Sequence, residues 1–181
     1  MSTEHRSKAG KLDATQTGMT PEAAPRQGEL LIIREFDAPV SHVWKTWTDP
    51  VSIRRWWGPK GYTTPSGNID LRVGGSYLFC MRSPDGKDIW STGVYKEIIP
   101  LRRIVCTDSF ADEKGNVVPA AFYGMEAGYP LEMLVTVTFA EIDGKTRLTL
   151  RHTGFTSDED CEAAQIGWRE MLDKFEAALK H

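Results

Sequence analysis

What the chain lacks narrows its function before any motif is read. Lys and Arg number 22 against 25 Asp and Glu, so no basic excess is available to hold a nucleic acid backbone. No run approaches the roughly 18 apolar residues of a membrane helix, so membrane insertion is not expected. Residues 1–28 contain no apolar stretch of the kind a secretion signal uses. Cysteine is scarce: Cys80, Cys106 and Cys161 are odd in number, widely spaced and without a CxxC pair. This argues against a disulfide framework and a thiolate metal site, and fits a reducing, cytoplasmic setting. The four histidines (His5, His42, His152, His181) share no metal-ligand spacing. No serine sits in a GxSxG elbow, and Gly74-Gly75 lacks the strand-to-helix context of a nucleotide loop. Neither a metal nor a cofactor is expected.

Tryptophan, by contrast, is abundant. There are six, and Trp44, Trp47, Trp56 and Trp57 crowd together. Trp44 and Trp47 stand at helical spacing and read as core. Trp56 and Trp57 are adjacent, and neighbours on a regular element cannot both face one side. At least one of that pair should line a rim, a pocket or a second interface.

The chain divides into two parts. Residues 1–28 hold almost no large apolar residues and read as a flexible tail, leaving 29–181 as one domain. The domain opens with a β-rich run, Glu29 to Phe36. Ser41 is a candidate N-cap for a short helix carrying Val43, Trp44 and Trp47, and Asp49-Pro50 restarts the chain into a second helix, Val51 to Arg55. Strands are then expected at Asn68–Val73, Ser76–Arg82, Ile89–Ile99, Arg103–Phe110, Leu131–Glu141 and Thr146–Thr153. Pro84-Asp85-Gly86 and Asp143-Gly144 mark hairpin turns. Residues 111–130 have no clear period, and a loop of that length is more often functional than not. Thr156 or Ser157 caps a closing helix in which Ala164, Trp168, Met171, Phe175 and Leu179 form one apolar stripe. A sheet and a single amphipathic helix must bury their inner faces against each other, and a cavity can form between them.

Several segments carry a family likeness. They are Arg34-Glu35-Phe36-Asp37-Ala38-Pro39 with Val43-Trp44, Trp56-Trp57-Gly58-Pro59, and Asp70 to Tyr77. Gly93 to Ile98, Thr146 to Leu150 and Gly167-Trp168 continue it in order. Across residues 30–180 the chain resembles the START-like (SRPBCC) helix-grip superfamily. Within that superfamily it resembles the branch containing the C-terminal domain of the heat-shock-protein-90 ATPase activator. The resemblance implies an α+β helix-grip fold, like that of the birch-pollen allergen. In that fold a curved antiparallel sheet of six to seven strands wraps a long C-terminal helix, with two short helices after the first strand. It also implies an apolar ligand under that helix, cyclase or aromatase activity in some relatives, and chaperone stimulation in one eukaryotic branch. The chain matches only the C-terminal half of the chaperone activator, so a chaperone partner is not expected.

Three functional readings follow. The first is binding of a lipophilic or aromatic small molecule. The cavity would be lined by Trp57, Tyr62, Tyr77, Phe79, Met81, Tyr95, Met133, Val135, His152, Trp168, Met171 and Phe175. The second is a polyketide cyclase- or hydrolase-like enzyme in the same cavity, with His152 as the candidate acid or base. The third is a stress or chaperone-accessory interaction module that exposes Trp56 and the 111–130 loop. His152 shares strand parity with Leu148 and Leu150, so it points inward, where a hydrogen-bonded core histidine is the simpler assignment. Glu97 and Asp108 are each compatible with an inward carboxylate or a solvated one. Asp70 and Arg72 are expected to pair, and Arg54-Arg55 to lie on a solvated helix face. A homodimer is compatible with the sequence.

Overall fold

The computed structural model describes residues 24–125 and 129–181, so most of the expected tail, residues 1–23, lies outside the described residues. The order of elements is β1 (Glu29–Phe36), α1 (Val40–Thr48), α2 (Pro50–Trp56), β2 (Thr63–Ile69), β3 (Ser76–Arg82) and β4 (Asp88–Ile99). There follow β5 (Arg103–Ala111), a 3-10 turn over Ala120–Tyr123, β6 (Met133–Ile142), β7 (Lys145–Thr153) and α3 (Asp158–Ala178). The seven strands form one curled antiparallel sheet in the order β1-β7-β6-β5-β4-β3-β2. The chain lays down one edge as β1, crosses to the opposite edge through α1 and α2, and returns as a meander. The last strand therefore pairs with the first, from Glu29↔Thr153 to Phe36↔Thr146.

Local chemistry explains most boundaries. Asp49 caps α2 by accepting from Ser52 N–H at 2.8 Å, and Pro50 occupies the first helical position, where a missing N–H costs nothing. Ser157 caps α3 by accepting from Asp160 N–H at 3.1 Å, and Asp158, Glu159 and Asp160 face the positive end of the helix dipole. α1 differs from expectation. Its N-cap is Pro39, without a side-chain hydrogen bond, and Ser41 lies inside the first turn. Proline's fixed φ, here -66°, already sets the entry angle.

β2 also differs, running Thr63–Ile69 rather than Asn68–Val73. Pro65 and Gly67 look like breakers, but β2 is an edge strand, where a missing donor is tolerated, and its register shifts between Thr63 and Ser66. Gly67 leaves room for the Phe79 ring, which a Cβ would approach to 3.4 Å. Asp70 to Gly75 is turn rather than strand. The expected Asp70–Arg72 pair forms there, at 2.9 Å.

Phe175, fully buried, centres the core. Its ring lies 5.1 Å from Phe36, 5.4 Å from Trp47 and 5.1 Å from Trp56, each edge-on. These contacts join α3 to β1, α1 and α2, and Arg34 on β1 adds ion pairs to Asp173 and Glu176 on the same helix. Leu172, also fully buried, belongs to the helix face that meets the sheet, although the expected stripe omitted it. Residues 111–123 lie against the sheet. Ala111 bridges to Val117, and the Tyr123 hydroxyl accepts from Trp90 N–H at 3.0 Å.

One position on β4 tolerates no side chain. A Cβ at Gly93 would lie 1.9 Å from the Thr107 carbonyl oxygen and 2.5 Å from the Tyr77 ring. Gly93→Ala is expected to destabilise the domain by about 2 kcal/mol or more, as overpacking does. Urea unfolding checks this, and an unchanged midpoint would show that the close approach relaxes freely.

Candidate functional site

The small residues of α3 decide where the interior is open. Towards its C-terminal end the helix presents Phe175 and packs solidly. Towards its N-terminal end it presents Ala164 and Gly167, and the sheet curls away beneath them. A chamber of about 170 Å³ lies there, between α3 and the sheet. A smaller chamber of about 40 Å³ lies deeper, among Trp47, Trp56, Tyr77, Tyr95 and Val137. Trp57, Trp168 and Asp108 border both. The two indoles meet edge to face at 5.7 Å and form much of the partition.

Most of the residues expected to line a cavity do so. Tyr77, Phe79, Tyr95 and Val135 border the inner chamber. Met81, Met133, His152 and Met171 border the outer one, and Trp57 and Trp168 border both. Two expected residues are not brought to either chamber. Tyr62 is half-buried in the turn before β2, and Phe175 is consumed by the aromatic core. Trp56 corrects the expectation of an exposed aromatic patch: it is 1% exposed and its indole N–H donates to the Thr46 carbonyl at 3.1 Å. Trp56 ends α2 while Trp57 is an extended C-cap, so the break in the helix lets both neighbours reach the interior. In the 111–130 segment, Phe122 is exposed. Arg54 and Arg55 are solvent-facing, as expected.

The polar heart of the site is a chain of four side chains. Trp168 Nε1–H donates to His152 Nδ1 at 3.1 Å. An indole N–H is only ever a donor, so His152 Nδ1 is unprotonated and the neutral ring carries its proton on Nε2. Nε2 lies 3.4 Å from Asp108 Oδ2, without the alignment of a hydrogen bond. Asp108 Oδ1 accepts from the Tyr77 hydroxyl at 2.7 Å. His152 is 3% exposed, and burial holds its pKa below the usual value despite the opposing pull of Asp108. Burial, reinforced by Asp108, pushes the Tyr77 phenol well up, so it remains a donor. The geometry thus makes His152 a hydrogen-bond donor towards the chamber, with its proton-accepting nitrogen occupied by Trp168.

Asp108 is the carboxylate that parity alone left open; Glu97 faces outward and pairs with Arg103 at 2.9 Å. No described Lys or Arg forms an ion pair with Asp108. Sequence reasoning missed Ser91 and Ser109, which line the outer chamber with Phe110, Tyr129 and Phe155. Ser91 shares strand parity with Tyr95, a signal that was available. Tyr129 and Phe155 lie outside regular elements, where no periodicity exists to find them. Four buried polar atoms have no hydrogen-bond partner among the described residues: Trp57 Nε1, Ser91 Oγ, Ser109 Oγ and His152 Nε2. Bare, each costs roughly 1–3 kcal/mol. Those that face the chamber therefore favour contents able to hydrogen-bond.

The loop that carries Trp57 is tied to α3. The Lys174 ammonium donates to the carbonyls of Trp57 (3.1 Å), Gly58 (2.9 Å) and Tyr62 (3.1 Å), and Lys60 N–H donates to the Glu170 carboxylate. Among the described residues no group of three or more His, Cys, Asp or Glu is placed to hold a metal ion. None of the described helices is long and apolar enough to cross a membrane.

The fold that carries this geometry is that of a known family. Residues 37–180 match the family model described as Activator of Hsp90 ATPase homolog 1-like protein. The chain belongs to that family. A protein from Chromobacterium violaceum is similar in structure, with a TM-score of 0.70 and 25% identity over 86% of this chain and 99% of that one. One from Arthrobacter aurescens is 29% identical, covers 84% and 86% of the two chains, and has a TM-score of 0.70. A third, from Silicibacter pomeroyi, is 25% identical over 84% and 99%, with a TM-score of 0.66. No curated protein matches. The family's fold, the helix grip expected from the sequence, commonly binds hydrophobic ligands.

Two substitutions test the site's construction. His152→Gln keeps an acceptor for Trp168 and is expected to cost roughly 1–3 kcal/mol at pH 8. Because the folded-state pKa of His152 is depressed, its protonation opposes folding. Wild-type stability should therefore decline as pH falls below about 6.5, and His152→Gln should flatten that decline. Urea unfolding between pH 8 and pH 5 checks both; an equal slope in the variant removes His152 as its source. Lys174→Met removes three charge-assisted hydrogen bonds and should lower stability by about 1–3 kcal/mol. It should also speed hydrogen exchange in residues 57–62, and unchanged exchange would show that the loop does not need its tether.

Proposed function

We propose that the protein binds a small, ring-bearing lipophilic molecule in the outer chamber, beneath the N-terminal half of α3. The supporting observation is an aromatic-walled space of about 170 Å³ bordered by His152 and Ser91, whose Nε2 and Oγ no described side chain satisfies. A dry engineered cavity of about 150 Å³ accepts benzene, so the space suits one aromatic ring. Apolar walls supply affinity, and a few convergent polar groups supply orientation. Catalysis in the same chamber has less support, because Trp168 occupies the nitrogen through which His152 would accept a proton.

The helix side of the chamber offers a clean test. A Cβ at Gly167 meets open space, and leucine favours helix over glycine by up to about 1 kcal/mol. Gly167→Leu should therefore hold or raise the melting temperature while weakening toluene binding at least tenfold, about 1.4 kcal/mol. Ala164→Phe should do the same with little loss of stability. Toluene titration followed by Trp fluorescence, with melting in parallel, gives both quantities. If both variants unfold readily and no aromatic probe raises the wild-type melting temperature, the interior is solid and the reading fails.

A further inference from the structure

Resting on the binding role above, the arrangement of donors and acceptors narrows the chemistry of what enters. Asp108 Oδ1 is engaged by the Tyr77 hydroxyl, whereas Oδ2 faces His152 Nε2 across 3.4 Å without a hydrogen bond. Both side chains border the outer chamber, so an acceptor and a donor are offered side by side to its contents. The donor cannot turn away, because Trp168 fixes both the tautomer and the ring orientation through Nδ1. Each simple polar group can be matched to this pair. A ketone oxygen satisfies the imidazole N–H but presses a second lone pair on the carboxylate. An ammonium satisfies the carboxylate but confronts the N–H. A carboxylate sets two like charges together, and no described cation pairs with Asp108 to relieve them. A hydroxyl donates to Asp108 Oδ2 and accepts from His152 Nε2–H with one oxygen. It also leaves Ser91, on the same sheet face as Phe110, free to cover a second polar atom, since its hydroxyl donates or accepts.

We propose that the chamber selects neutral hydroxyaromatic ligands, with the ring against Trp57 and Trp168 and the hydroxyl bridging Asp108 Oδ2 and His152 Nε2 from the chamber side. Asp108 is then the specificity-determining residue, taking the ligand's O–H proton in a hydrogen bond without removing it. Tyr77 holds that carboxylate in place, and Trp168 holds the imidazole.

The test uses the full chain and four single-ring probes: phenol, toluene, benzylamine and benzoate. Titrations are followed through the indole N–H signals in 1H–15N spectra. Phenol is expected to bind at least tenfold more tightly than toluene, with benzylamine and benzoate weaker than phenol. In Asp108→Asn the phenol-to-toluene ratio should fall towards one while toluene affinity holds. Toluene binding as well as phenol overturns the hydroxyl assignment but leaves an apolar ligand site intact. Tighter binding of benzylamine or benzoate also overturns it, and makes the site one for cations or anions. An unchanged ratio in Asp108→Asn removes Asp108 as the determinant. If Asp108→Asn does not fold, the wild-type probe series decides alone. If no probe moves any signal, both this inference and the binding role fail.

Discussion

Everything about this domain depends on how one rigid helix is held against a curled sheet. The ring of Phe175 is gripped edge-on by Phe36, Trp47 and Trp56, which belong to β1, α1 and α2. Such contacts add about 0.5–1.5 kcal/mol each beyond the area they bury. They fix the C-terminal half of α3 so firmly that its N-terminal half is suspended over the sheet. A helix cannot bend to fill space that its own small residues leave, so Ala164 and Gly167 become the roof of a chamber. Solid packing at one end of the helix therefore creates open space at the other.

The chamber's polarity follows from the same clamp. Trp168 lies almost parallel to Trp47, with ring centroids 6.4 Å apart, so its indole is set by the core rather than by the chamber. From that fixed position it dictates the tautomer of His152, which in turn presents an N–H towards Asp108. The sequence of control runs from aromatic packing to indole orientation to proton placement. Protonating His152 would require breaking the Trp168 hydrogen bond in a buried setting, and burial already holds the imidazole neutral. The histidine's chemistry is thereby narrowed to donation.

The other wall is tied down by charge. Lys174 gathers three carbonyls from the turn between α2 and β2, including that of Trp57, the residue shared by both chambers. Burial lowers the ammonium's pKa, yet three short contacts to carbonyl oxygens compensate for lost water. Because Trp57 hangs from this turn and Trp168 from α3, one tether sets the width of the partition between them. Any motion that opened the deeper chamber would have to separate those two indoles.

Periodicity and turn chemistry were enough to read most of the scaffold. The alternation of Met133, Val135, Val137 and Phe139, the inward parity of His152, and the capped stripe on α3 are local features and survive folding unchanged. Parity also told which of those side chains face inward, because it separates the two faces of an element. The edge strand β2 was misread, since Pro65 and Gly67 are breakers only where a neighbour demands their hydrogen bonds. Trp56 was misassigned because a helix that ends between two neighbours releases them from the rule that separates them. Phe175 and Tyr62 were expected at the cavity because a stripe or a nearby turn cannot say where along its length packing closes. Asp108 could be placed only by the pairing of β5 with its neighbours, and the position of its carboxylate beside His152 and Tyr77 is a meeting of three strands. Local sequence determined which residues face inward. The tertiary structure decided which inward residues meet one another, because that depends on sheet curl and helix placement.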